Sequence, residues 1–219
     1  MHKNVKNLLN IKSKVKQKLN EKSSFSLPEI IAVSKTFDMN HISPLIEYGH
    51  KHFGENKVQE AVEKWSEIKN SNKDLKLHLI GKLQTNKVKF AVKIFDYIHS
   101  LDNEKLAQKI SKFQSESGLN TKIFIQVNIG NEDQKFGINE KNLLEFYKYC
   151  KDLNLNIIGL MCIPPFDKKS EIFFKKMLIL RDNVNVKHLS MGMSSDFLSA
   201  IEYQSTFLRI GSEIFGKRS

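Results

Sequence analysis

KIFIQVNI, residues 122–129, decides the fold class. Ile123, Phe124 and Ile125 follow one another without a polar residue between them. A strand with one wet face alternates apolar and polar residues, whereas a parallel strand covered on both faces does not. Short apolar runs recur on either side of it, at 30–34, 52–54, 77–80, 96–99, 157–161, 186–189 and 207–210. Helix-like stretches lie between them, for example at 57–69, 86–94, 103–117, 141–151 and 169–183. Strand–helix alternation of this kind predicts parallel α/β architecture. Eight units fit a closed (β/α)8 TIM barrel; a doubly wound open sheet satisfies the same alternation. Residues 4–20 add a lysine-rich amphipathic helix before the first strand, with Val5, Leu8, Leu9, Val15 and Leu19 near helical spacing. The 219 residues hold no obvious linker or low-complexity segment, so one domain over 1–219 is expected.

The bulk composition excludes several classes of protein. No apolar run is long enough to span a bilayer, and the first twenty residues interleave apolar side chains with lysines, unlike a signal peptide. Cys150 and Cys162 form no CxxC pair, which implies neither a disulfide framework nor a zinc knuckle. A cytoplasmic protein is the default expectation. The net charge is +11, but only Arg181, Arg209 and Arg218 are arginines. Lysine spread from end to end, with the better phosphate and guanine reader nearly absent, predicts no specific nucleic-acid partner.

Polar and glycine residues collect after the strands. Lys35 follows the first, Gly54-Glu55-Asn56 the second, Gly81-Lys82 the third, Ser190 to Ser194 the seventh and Gly211-Ser212 the eighth. In a barrel those ends converge on one mouth, where active sites are built. A turn after each strand accounts for the glycines; it accounts less well for Lys35, Asn56 and Arg209.

The last two turns, in HLSMGMSSD (188–196) and FLRIGSEIFG (207–216), each run from a strand into a small-residue turn and a helix. Free backbone N–H groups there form an anion site, and phosphate sites in barrels frequently follow strands seven and eight. Ser195 or Asp196 is placed to cap the helix that follows the first turn. Opposite them stands Lys35. Lysine forms Schiff bases when its amine is neutral, so a carbonyl compound anchored at both ends, such as pyridoxal phosphate, suits the set. Arg209, a donor only, would then face the pyridine nitrogen without protonating it, which restrains carbanion chemistry. Taken alone, Lys35 reads as a solvated lysine and Arg209 as half of a structural ion pair.

Other motifs are weaker. There is no Walker A loop, GxGxxG or GxSxG. His50-x-His52 lacks a third metal ligand. His78 and His188 lie in strand-like runs and read as core histidines, Cys162 has no adjacent base, and Met191 and Met193 read as packing.

The segments IIAVSKTF (30–37), HFGENKVQEA (52–61), LHLIGKLQTNK (77–87), FIQVNIGNEDQKFGI (124–138), GLMCIPP (159–165), LSMGMSSD (189–196) and STFLRIGSEIFG (205–216) appear in order over nearly the whole chain. Together they resemble the pyridoxal phosphate homeostasis proteins, also called the proline synthetase co-transcribed homologue family, which are similar to the N-terminal barrel of bacterial alanine racemase. The resemblance implies a (β/α)8 barrel with pyridoxal 5′-phosphate on Lys35. It also implies a phosphate cradle from the Ser190–Ser194 turn, Met193 included, with Gly211 and Ser212. Arg209 would stand at the pyridine nitrogen, with Asn56 and His78 near the cofactor. Gln204 stands where the family usually has glycine, and Lys82 where proline or histidine is common.

The resemblance further implies a carrier that limits free aldehyde and passes the cofactor on, with pyridoxal-phosphate-dependent apo-enzymes as recipients and without catalysis of its own. The alternative is an amino-acid racemase, which needs an acid/base on each face of the substrate. In the similar racemases the second base comes from a further C-terminal domain. This chain stops at Ser219, shortly past the last strand, which favours the carrier.

Overall fold

The computed structural model describes residues 1–20, 26–132 and 136–216. Residues 133–135 of the 124–138 motif, and the last three residues, lie outside that range. Eight parallel strands close into a barrel in chain order: β1 (Glu29–Val33), β2 (His52–Glu55), β3 (Lys76–Leu79), β4 (Tyr97–Leu101), β5 (Lys122–Gln126), β6 (Ile157–Met161), β7 (His188–Ser190) and β8 (Phe207–Ile210), with β8 paired to β1. The open-sheet alternative is thereby excluded. KIFIQ forms β5, between β4 and β6, with Ile123, Phe124 and Ile125 all buried, as its unbroken apolar run requires.

Helices α1 (Lys3–Asn20), α2 (Met39–Glu47), α3 (Val58–Ser71), α4 (Val88–Ile94), α5 (Glu104–Ser117), α6 (Leu143–Asp152), α7 (Ser170–Val184), α8 (Phe197–Glu202) and α9 (Ser212–Phe215) surround the barrel. A 3-10 turn over Thr85–Lys87 leads into α4, where the sequence suggested one continuous helix. No helix stands out in the sequence between β1 and β2. Pro44 in the middle of α2 argues against one, but Asp38 caps the helix by accepting from the His41 amide, and Ile42 and Leu45 are buried. The N-terminal helix is integral to the fold. Val5, Leu8, Ile11, Val15 and Leu19 are buried, and Asn7 Nδ2 donates to the Ile214 carbonyl of α9 at 2.9 Å.

Strand periodicity divides the core in two. Ile30 and Ala32 of β1, and Leu208 and Ile210 of β8, point outward into the helix layer. Ile31, Tyr97, Phe124, Met161 and Phe207 fill the barrel interior. Barrels are ordinarily filled by branched aliphatic side chains; here imidazoles join the stack. His78 lies on Tyr97 with ring centroids 4.2 Å apart, and His99 on Phe124 at 4.3 Å. Gln204, at the position where glycine was expected, has φ +61°, the left-handed region that glycine enters without strain, and its side chain accepts from Arg181 at 2.9 Å. Among the described residues no helix is long and apolar enough to cross a membrane.

If α1 belongs to the core, Leu8→Ala destabilises the barrel by roughly 2–5 kcal/mol, the range for a buried leucine. Urea unfolding measures it, and a change within about 0.5 kcal/mol of zero, typical of surface sites, would show that the helix is peripheral.

Candidate functional site

At the carboxyl ends of the strands lies a cavity of about 860 Å³, lined by Lys35, Asn56, Gly81, Met193, Ser194, Ser195, Arg209, Gly211 and Ser212, with Val33, Phe37, Ile80 and Ile163 among its apolar walls. Ile31 is interior, so Val33, two residues on, points the same way, and Lys35, in the turn just past the strand, lines the mouth. On β8 the same parity carries Phe207 and Arg209 inward, and Gly211, just past the strand, lines the cavity.

Lys35 sits in a bracketed turn. Thr36 has φ +69°, a left-handed conformation that costs a β-branched residue energy, and its amide donates to Glu60 Oε1 at 2.9 Å. Lys64 Nζ donates to the Ser34 carbonyl at 3.1 Å and to Glu55 Oε1 at 3.0 Å; Ser34 Oγ and Trp65 Nε1 donate to that same carboxylate oxygen. Glu55 is fully buried, so this charge and its cation fix the residues on either side of Lys35. The sequence marks Glu55 only as a polar residue at a strand end and gives no sign of Glu60 or Lys64; a helix-face lysine among 32 carries no local signal.

Arg209 is buried. Its Nη1 donates to the Ser190 carbonyl at 2.6 Å and to Ser190 Oγ at 2.7 Å, and Nη2 donates to the Cys162 carbonyl at 2.8 Å. The ion pair its residue type suggested is absent among the described residues. A buried cation without a carboxylate is expensive unless hydrogen-bonded, and these three bonds leave two of its five N–H groups. Burial lowers its pKa, yet a guanidinium keeps its proton at neutral pH.

The Ser190–Ser194 turn is shaped for close backbone approach. Gly192 has φ +91°, and a Cβ there would lie 2.6 Å from Ala200 Cβ. Asp196 stands at the N-cap of α8, but its side chain does not cap the helix; it accepts from the Met193 amide at 2.6 Å. Ser195 lines the cavity instead. The turn's own hydrogen bonds leave the amides of Ser194 and Ser195 unused. Across the mouth, a Cβ on Gly81 would fall 2.3 Å from the Asn56 carbonyl oxygen, so only glycine lets the two loops meet. Asn56 Oδ1 is buried there without a hydrogen-bond partner. Lys82, at the position where proline or histidine was expected, places Nζ 3.7 Å from the centre of the Phe136 ring, within cation–π range.

Two of the nine expected residues, His78 and Ser190, do not line the cavity. Both lie deeper in the barrel, within a chain the sequence reading did not foresee. His52 Nδ1 and His78 Nε2 are 2.9 Å apart, as are His78 Nδ1 and His99 Nε2, and His99 Nδ1 and Ser190 Oγ; Ser190 Oγ then accepts from Arg209. His99 was overlooked because one histidine in a strand looks the same in sequence whether it is isolated or linked. Cys162 is a buried thiol whose burial pushes its pKa up to about 12, and Cys150 likewise. Neither acts as a nucleophile in that state. Among the described residues no group of three or more histidine, cysteine or carboxylate side chains is gathered as a metal site would require.

The fold and this mouth define a barrel of the alanine racemase N-terminal type; the family model "Alanine racemase, N-terminal domain" matches residues 7–219. A pyridoxal phosphate homeostasis protein of Aquifex aeolicus is 40% identical over 200 residues, 87% of each chain. That of Haemophilus influenzae is 37% identical over 87% of this chain and 85% of its own. The chain belongs to the pyridoxal phosphate homeostasis protein family. The structure of PipY from Synechococcus elongatus with PLP bound superimposes with a TM-score of 0.80 at 33% identity, covering 94% of this chain and all of that one. Alanine racemase of Clostridium difficile, at 17% identity and a TM-score of 0.73, shares the fold over 99% of this chain and 57% of its own.

Burial pushes His78 and His99 well below the ordinary imidazole value of 6.5, assisted respectively by His99 and by Arg209. His52 and His188 are lowered, and His50 is pushed down to about 3, burial leading in each case. Unfolding in mildly acid solution therefore takes up protons at these histidines, and stability falls as pH drops below about 6.5. Urea midpoints are expected to decline steadily from pH 7 to pH 5, before carboxylates titrate; a flat profile would contradict neutral histidines in the core.

Proposed function

We propose that this protein binds pyridoxal 5′-phosphate in the carboxyl-end mouth, holds it as a Schiff base on Lys35 and passes it on to apo-enzymes that use it, in the cytoplasm. The observation that carries the reading is the convergence of Lys35 and Arg209 on one mouth from adjacent strands, with unused backbone amides beside them. The donor set fits the group. Pyridoxal phosphate supplies an aldehyde that an amine traps, a pyridine nitrogen that accepts a hydrogen bond, and a phosphate.

Lys35, which lines the cavity, would hold the cofactor at its aldehyde end through Nζ. Arg209 offers a remaining N–H to the ring nitrogen, and as a donor only it leaves that nitrogen unprotonated. The amides of Ser194 and Ser195, with the Gly211-Ser212 turn, receive the phosphate, as backbone nests receive anions. At the mouth, Asn56 Oδ1 is a buried acceptor still lacking a donor. Support comes also from the family's name and from PipY, whose structure holds PLP.

Racemisation would need a second acid/base facing Lys35. Among the described lining residues the remaining carboxylate is Glu213, which lies 3.9 Å from Lys14 Nζ. The cavity suits holding better than proton transfer on two faces.

The purified protein with pyridoxal phosphate is expected to turn yellow, and borohydride followed by peptide mapping to mark Lys35. Lys35→Ala removes that adduct and leaves the fold intact. Arg209→Ala keeps the adduct but releases the cofactor roughly tenfold or more faster, the scale of one charge-assisted hydrogen bond. Label scattered over surface lysines, or an unchanged adduct in Lys35→Ala, would overturn the assignment.

A further inference from the structure

The opposite end of the barrel is also hollow. A cavity of about 690 Å³ opens there, and the first residues of seven strands line it: Glu29, His52, Lys76, Tyr97, Lys122, His188 and Phe207. Ile158, Leu27 and Ile201 add apolar wall. Five cations surround it. Lys51 is paired with Asp74 at 2.9 Å and Arg181 with Asp182 at 2.7 Å. Lys76, Lys122 and Lys187 have no carboxylate within ion-pair distance among the described residues, and Lys122 donates only to the Tyr97 hydroxyl, at 3.3 Å. An uncompensated positive rim over an aromatic floor favours an anion with an apolar body.

The hydrogen-bond chain fixes what His52 shows to this cavity. Arg209 only donates, so Ser190 Oγ accepts from it. The hydroxyl proton of Ser190 then has one acceptor, His99 Nδ1. A neutral imidazole carries one N–H, so His99 donates from Nε2 to His78 Nδ1, and His78 from Nε2 to His52 Nδ1. His52 is left with its proton on Nε2, 3.4 Å from the half-exposed Glu29 carboxylate at the cavity wall. Every link points the same way, and the far end is a donor.

We propose that the amino-end mouth is a second binding site, for a small organic anion with an apolar body, and that the histidine chain couples its occupancy to Arg209. The anion sits over Tyr97 and Phe207 between Lys76, Lys122 and Lys187, and takes the His52 Nε2–H from Glu29. The electrostatics agree. Burial and the lysines at 76 and 122 lower the His52 pKa, against Glu29 and Asp96; burial and the lysines at 187 and 122 lower that of His188. An anion offsets those lysines and draws a proton onto His52. A doubly protonated His52 also donates from Nδ1, which reverses His78 and His99. His99 then donates to Ser190 Oγ, beside the bond from Arg209, and the serine proton loses its acceptor. The inference does not depend on what the carboxyl-end cavity holds.

Benzenesulfonate tests this, since its charge does not vary with pH. Titrated into the full-length protein and followed by imidazole and guanidinium nitrogen NMR, it is expected to shift His52 and His188 saturably. His99 and Arg209 follow with the same midpoint. Lys76→Gln/Lys122→Gln weakens binding tenfold or more, and benzylammonium, a cation of similar shape, moves none of these signals. The His52 tautomer before addition is Nε2–H. Absence of a saturable shift, equal affinity in the double variant, or an equal response to benzylammonium would overturn the site. Movement of His52 with His99 and Arg209 unchanged would overturn the coupling.

Discussion

The molecule depends on the seam where the last strand meets the first. β8 pairs with β1 in a register that sets Arg209 beside Ile31. With a side-chain period of two, that register sends Ile31 and Val33 inward from one strand and Phe207 and Arg209 from its neighbour, and the turns that follow bring Lys35 and Gly211 to the same mouth. A one-residue slip would turn Val33 into the helix layer and Arg209 away from the mouth. Closing the sheet and assembling the cavity are therefore one event.

What fills the barrel beneath that mouth follows from the same parity. Residues two apart on β4 and β8, Tyr97 with His99 and Phe207 with Arg209, occupy successive interior layers. Polar groups at such depth require partners, and the histidines find them in one another, in Ser190 and finally in Arg209. The guanidinium is thus held by carbonyls and a hydroxyl rather than by a carboxylate, which leaves its charge available to a ligand. On the outer side, the buried Glu55 carboxylate and Lys64 hold the residues flanking Lys35. Losing one partner of such a pair is far more damaging than never having had it.

Much of this was legible in the sequence, and the limits have physical causes. The unbroken apolar run in β5 declared a strand covered on both faces, and Lys35 stood out as a lysine directly after an apolar strand. Small residues after the last two strands marked the turns at the mouth. The helix containing Pro44 was hidden because its capping aspartate and two buried apolar residues outweigh a local breaker. His78 and Ser190 belong to the layer below the cavity because depth along the barrel axis depends on strand stagger, which no single segment records. The bracket of Glu55, Glu60 and Lys64 joins a strand end to one helix face, and His99 acquires its role only when five strands meet.

A crystal structure of the protein with pyridoxal phosphate tests the central claim most directly. The account predicts continuous density from Lys35 Nζ to the cofactor, the pyridine nitrogen within hydrogen-bond distance of Arg209, and the phosphate on the amides of Ser194 and Ser195. A cofactor attached to another lysine, or a ring turned away from Arg209, would contradict it.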